Sequence, residues 1–147
     1  SVEEAIDFFY EEKNLARAIQ QMSDVGLGYI KLGQSSGTLS GGEAQRVKLA
    51  SFLGKGRAGN KILFIFDEPT TGLHFNDIKK LLSSFNALIE QGHSILVIEH
   101  NTDVIRSADW VIDLGPEAGD EGGHLVFAGK PADLKKSRLG YTSTFIR

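Results

Sequence analysis

Residues Ile62 to His74 read ILFIFDEPTTGLH, five apolar residues running straight into two carboxylates and a turn. A run that is apolar at every position suits a parallel strand covered on both faces better than a half-exposed antiparallel one. Ser94 to Ile98, SILVI, repeats that character. The interval between the two runs is long enough for a crossover helix, and Ile78, Leu81, Leu82, Phe85, Leu88 and Ile89 supply its buried stripe. The pattern predicts a βαβ unit. In a right-handed unit of this kind both strands run the same way, so residues just past their ends gather at one carboxyl edge, where open α/β sheets place ligands. Asp67 and Glu68 follow the first strand, Glu99 and His100 the second. An aspartate at such a strand end can hold magnesium directly or through water, and a carboxylate beside it can orient or deprotonate an attacking water. A histidine on the neighbouring strand end can reach a transferred phosphoryl group.

Upstream of the acidic strand lies LSGGEAQR, Leu39 to Arg46. Ser40 with Glu43 forms a capping-box pattern, and Ala44, Val47, Ala50 and Leu53 continue it as an apolar helix face that ends at Gly54. Ser40 and the amides of Gly41 and Gly42 form a helix start with no side chains in the way, a good site for a terminal phosphate. Before it, Val2, Ile6 and Phe9, then Leu15, Ile19, Met22 and Val25, fall at helical spacing, and Ser1 with Glu4 can close another capping box. Two amphipathic helices are expected there, joined to the next by the glycine-rich connector Gly26 to Gly37. Beyond Asn101 the reading is a short helix, a strand in DWVIDLG, a strand in GGHLVFAG, and a helix beginning near Pro131.

The bulk numbers narrow the function. A chain of 147 residues with 41% hydrophobic content supports one globular domain. A net charge of -3 argues against a free-standing electrostatic nucleic-acid binder. With no cysteine there is no disulfide and no cysteine-ligated zinc in these residues, which fits a reducing, cytoplasmic setting. No apolar run approaches the roughly 20 residues of a membrane helix. Met22 is the only methionine, so Ser1 is expected to follow a removed initiator or a cut in something longer.

A signature-like LSGGE, a hydrophobic strand into Asp-Glu-Pro, and a histidine just past the next strand, in that order, resemble the ATP-binding-cassette superfamily. The fold implied is α/β, the C-terminal portion of a P-loop-type ABC ATPase domain: a parallel sheet with flanking helices plus a helical signature subdomain. Residues 1–56 would be the helical signature region and 57–147 the core from the Walker B strand onward. By this resemblance Asp67 would ligate magnesium, Glu68 would be the catalytic base, and His100 would contact the γ-phosphate of ATP. Thr70 to His74 would form the D-loop. Ser40, Gly41 and Gly42, followed by Glu43, would bind the γ-phosphate of the opposite site, because such modules sandwich ATP in pairs.

GLGYIKLGQ, LSGGEAQRVKLA, DEPTTGLHF, VIEHN, ADWVIDLGPEAGDEGG and GKP narrow the resemblance to the second cassette of the UvrA family, the damage-sensing subunits of bacterial excision repair. That likeness implies ATP and magnesium as cofactors, with the family's zinc-binding cysteines outside this segment. It implies as partners a second cassette module in the same or another chain, a homodimer, damaged DNA and a UvrB-type repair protein, with no membrane. Other soluble cassette ATPases, or a degenerate cassette acting as a dimerisation or regulatory module, are the alternatives.

A phosphate loop needs G-x-x-x-x-G-K-[ST], and these residues hold none; Gly54 to Lys61 comes near but has Asn60 after Gly59. The loop is expected upstream, these residues alone are expected to bind ATP weakly or not at all, and unpaired strand edges make self-association or domain swapping a hazard. Arg46, Lys48, Lys55, Arg57 and Lys61 form a basic stretch without an acid, read first as a solvated helix face and loop and second as a DNA contact. His93 and His124 read as surface residues, Trp110 as core, and PEAGDEGG as an acidic turn.

Overall fold

The computed structural model describes residues 1–53, 60–117 and 122–146. Gly54, Lys55, Arg57 and residues 118–121 of the PEAGDEGG turn lie outside them. The chain forms two compact units, Ser1–Glu99 and His100–Arg147.

In the first unit, α1 (Val2–Phe8) and α2 (Lys13–Asp24) open the chain. The Ser1 hydroxyl accepts from the Glu4 amide at 3.2 Å, and the Glu4 carboxylate reaches back to the amino terminus, so the capping box is formed. Val2, Ala5 and Ile19 meet in a small apolar cluster with Met22 packed against it. The chain then turns at Gly26, whose φ of 77° and 3.0 Å approach of an added Cβ to the Asp77 Cβ both favour glycine. Amides of Val2 and Glu3 donate to the Ile30 and Gly28 carbonyls, which pins the connector under α1. A single 3-10 turn at Ser36–Thr38 leads into α3 (Gly41–Leu53).

Strand β1 (Leu63–Asp67) lies parallel to β2 (Ser94–Ile98) in the register Leu63 to Ser94 through Asp67 to Ile98, with α4 (Phe75–Glu90) as the crossover. The expected βαβ unit is present. One cluster joins Val25, Leu27 and Ile30 from the connector, Leu49 and Ala50 from α3, Phe64 and Phe66 from β1, and Leu81, Phe85 and Leu88 from α4. The Phe66 and Phe85 ring centroids are 4.9 Å apart, and Phe52 meets Phe64 edge-on at 5.0 Å. The Ser84 hydroxyl donates to the Asp24 carbonyl at 3.0 Å and ties α4 to the end of α2.

Several expectations change here. The all-apolar run predicts a strand covered on both faces, but Phe64 and Phe66 are buried while Leu63 and Ile65 are 61% and 62% exposed. Among the described residues of this unit, the core cluster covers a single face of the β1–β2 pair. Ile89 is exposed rather than part of the α4 stripe. His93 is buried, because its Nδ1 accepts from the Ile62 amide at 3.3 Å and its ring meets Phe64 edge-on at 5.6 Å.

The largest change concerns Arg46, read from sequence as part of a solvated basic face. It is 1% exposed, and its Nη1 donates to the Pro69 carbonyl at 2.6 Å. Leu49 and Ala50 are buried on the same helix, and Val47 and Leu53 pack against the same core, so the face expected from the apolar spacing does meet the core and is widened by Arg46 and Leu49. Among the described residues Arg46 Nε has no hydrogen-bond partner. Lys48 and Lys61 remain exposed.

In the second unit, Asn101 caps α5 (Thr102–Ser107), its side chain accepting from the Asp103 and Val104 amides at 2.9 and 3.3 Å. Strand β3 (Val111–Gly115) pairs antiparallel with β4 (His124–Gly129), and the register shifts between Asp113 and Leu114. Pro131 opens α6 (Pro131–Ser137), and α7 (Thr142–Phe145) closes the chain. Val104, Leu134 and Ile146 are buried, while Trp110 is 60% exposed and so is not the core residue its apolar context suggested. His124 is exposed, as expected.

Removing the Arg46 guanidinium leaves the Pro69 carbonyl without its donor, a loss of about 1–3 kcal/mol. Arg46→Ala should therefore lower the unfolding free energy by that order in denaturant melts. Arg46→Met, which refills the space without burying a charge, should lose less. An unchanged midpoint for Arg46→Ala would show that this link contributes nothing to stability.

Candidate functional site

The acidic residues sit where a parallel strand ends. Asp67 is the last residue of β1, and its amide meets the Gln45 Oε1 of α3 at 3.3 Å. Glu68 continues the ladder by donating its amide to the Ile98 carbonyl at 2.9 Å. It then takes a φ of 46°, a left-handed value rare outside glycine. That kink ends the strand and starts a tight turn, in which the Thr71 amide donates to the Glu68 carbonyl at 3.2 Å and the Leu73 amide to that of Thr70 at 3.0 Å. Both carboxylate residues are exposed, whereas Pro69 and Thr70 behind them are buried.

Two side chains hold this turn from behind. Arg46 binds the Pro69 carbonyl, and Glu99, the residue after the end of β2, accepts from the Thr70 amide at 2.8 Å and from the Thr70 hydroxyl. Neither role was assigned from the sequence. The strand pattern places Glu99 at the carboxyl edge, but its partner is set only by the parallel register.

The start of α3 packs against the same turn. A Cβ added to Gly42 would lie 3.3 Å from Arg46 Nη1 and 3.8 Å from the carbonyl oxygens of Glu68 and Thr71, so a larger side chain crowds this junction. At Gly41 an added Cβ meets nothing within 4 Å. The capping box forms as expected: the Ser40 amide donates to Glu43 Oε2 at 2.7 Å and the Glu43 amide to the Ser40 hydroxyl at 3.3 Å. The first-turn amides at Gly41 and Gly42 belong to the donors that a helix leaves without an internal acceptor.

Glu43 has a second donor that the sequence did not reveal, the Tyr29 hydroxyl at 2.5 Å on Oε1. That bond first, then the Ser40 amide and hydroxyl, hold the Glu43 carboxyl below its ordinary value of 4.5. Desolvation, followed by the Glu43 carboxylate, pushes the Tyr29 hydroxyl up.

Ser40, Gly41, Gly42, Glu43, Asp67 and Glu68 thus all belong to the first unit, with Gly42 lying against the turn that Glu68 begins. His100, exposed, follows Glu99 in the chain as the first residue of the second unit. Among the described residues no three His, Cys, Asp or Glu side chains are grouped to hold a metal by themselves. Magnesium asks for less, one or two carboxylates with the remaining positions filled by phosphate and water, and an exposed Asp67 at a strand end suits that demand. Among the described residues, no helix is long and apolar enough to cross a membrane.

The lowered Glu43 pKa fixes a pH dependence. Its folded-state value lies below the unfolded one, so the stability it contributes is fully present above about 4.5 and disappears as pH falls through the folded value. Thermal melts of Glu43→Gln should accordingly lose less stability than the parent as pH drops from about 5 to 3. Parallel acid limbs for the two proteins would mean that the carboxylate is not preferentially bound in the folded state.

No family model matches the chain. It is 59% identical over 134 residues to UvrABC system protein A of Thermus thermophilus, covering 91% of this chain and 14% of that protein. Over all 147 residues it is 54% identical to the protein of the same name from Agrobacterium fabrum and 51% identical to that from Aquifex aeolicus, covering 15% and 16% of their lengths. The crystal structure of UvrA2 from Deinococcus radiodurans superposes with a TM-score of 0.83 at 42% identity, over 100% of this chain and 18% of that one. The chain matches its curated relatives along nearly all or all of its own length while spanning 14% to 16% of theirs, and it belongs, as such a segment, to the UvrA family.

Proposed function

We propose that this chain is a working part of the second ATP-hydrolysing cassette of a UvrA-type damage-recognition subunit in nucleotide excision repair. The observation that carries the reading is the turn Asp67–Thr71: exposed carboxylates end a parallel strand, and the glycine-rich start of α3 packs on the same turn. Asp67 would hold magnesium, Glu68 would take the proton of the attacking water, and His100 would meet the γ-phosphate. Magnesium would supply charge neutralisation on the phosphates. Ser40, Gly41 and Gly42, with Glu43 locking the helix start, would face the terminal phosphate of a partner cassette. Functionally the chain divides into a signature region, 1–56, and the Walker B core, 57–147.

The rest of the proposal rests on the family resemblance. The second module comes from the same chain or a homodimer mate, the substrate is damaged DNA, a UvrB-type protein receives the lesion, and the setting is cytoplasmic. Retention of both carboxylates and the histidine favours an active cassette over a degenerate regulatory module.

In the intact polypeptide, Glu68→Gln should slow ATP turnover by about 10²- to 10⁴-fold while ATP still binds. Near-normal turnover would remove the role given to Glu68. These 147 residues alone, which contain no G-x-x-x-x-G-K-[ST], should bind magnesium-ATP weakly or not at all. Saturable binding at micromolar concentration in calorimetry would contradict that.

A further inference from the structure

We propose that Glu99 is a positioning residue that aims Glu68 by clamping the turn behind it. Its Oε1 accepts from both the amide and the hydroxyl of Thr70, two residues past Glu68. Charge-assisted bonds of this kind are stronger and shorter than neutral ones, and a pair converging on one side chain fixes orientation as well as distance. Thr70 is 9% exposed, so the clamp works from the buried side while Glu68 stays exposed on the other.

The turn needs such a hold. Glu68 sits at a φ of 46°, a conformation that a non-glycine residue keeps only where its surroundings over-determine it. Its amide is fixed by the Ile98 carbonyl, its own carbonyl takes the Thr71 amide, and the Pro69 carbonyl is taken by Arg46. Thr70 completes the set. Because Glu99 directly follows β2, the clamp also joins the turn to the second strand of the parallel pair. A displacement of about 1 Å at a reacting group can cost on the order of 10²-fold in rate, so the clamp has leverage on Glu68 without touching substrate.

The catalytic half of this inference rests on Glu68 being the base, and the experiment separates the two. In the intact polypeptide, steady-state ATP turnover is measured for Glu99→Ala, Glu99→Gln, Thr70→Val and Glu68→Gln, with hydrogen exchange followed by mass spectrometry over residues 62–74. Glu99→Ala should lower kcat by roughly tenfold or more with KM for ATP changed less than about twofold, and should speed exchange at Thr70. Glu99→Gln, whose amide oxygen keeps the acceptor, should restore most of the rate. Thr70→Val, which removes only the hydroxyl arm, should fall between, and it serves as the test if Glu99→Ala fails to fold.

A Glu99→Gln rate as low as that of Glu68→Gln would overturn the proposal by making Glu99 a reacting carboxylate. Normal kcat in both Glu99→Ala and Thr70→Val would overturn it while leaving the Glu68 reading intact. Normal turnover in Glu68→Gln would instead overturn the base assignment and the aiming role with it, and faster Thr70 exchange in Glu99→Ala would then support the clamp as structure only.

Discussion

The Arg46 guanidinium, buried and bonded to the Pro69 carbonyl, is the constraint on which the rest of the first unit depends. It crosses from α3 to the turn after β1, beside the Gln45 contact to the Asp67 amide and the core shared by Leu49, Phe64 and Phe66, and it does so where Gly42 lies against the turn. A buried charge is costly unless its donors are used, and one nitrogen here has no partner among the described residues. Arg46 is therefore a weak stabiliser relative to an apolar residue of the same size, but its geometry is specific. It makes the position of the helix start conditional on the position of the carboxylates.

Around that link the turn is held from several sides. The ladder bond from Glu68 to Ile98, the Gln45 contact to the Asp67 amide and the Glu99 hold on Thr70 each come from a different element. None of them uses the side chains of Asp67 or Glu68, and both residues are exposed. Glu43 shows the same economy at the helix start, since its carboxylate closes the capping box and also anchors Tyr29 from the preceding connector. Protonating it weakens both bonds together, which is why its pKa is held down.

The parallel pair has a second character. Phe64 and Phe66 are sealed by α3 and α4, while Leu63, Ile65, Leu96 and Ile98 present an apolar face that the described residues of this unit leave exposed. An all-apolar strand is the expected signal of burial on two sides. One side is supplied here.

What was legible in the sequence was whatever depends on neighbours along the chain. Ser1 with Glu4, Ser40 with Glu43, Asn101 and Pro131 start helices through bonds or fixed angles spanning at most a few residues, and the two apolar runs with an amphipathic segment between them specify a βαβ crossover. The carboxylates at the strand end and the glycines of LSGGE could be named for the same reason, because strand direction and helix start are local properties. Arg46, His93, Trp110 and Ile89 could not be placed, since a charge, an imidazole or an indole is buried or exposed according to what a distant segment puts opposite it. The Glu99 to Thr70 bond spans 29 residues and exists only because β1 and β2 align in one register. Local chemistry decided which groups stand at the edge of the sheet, and only tertiary packing decided which of them are held, because hydrogen bonds between distant segments form only once the fold has placed their donors and acceptors together.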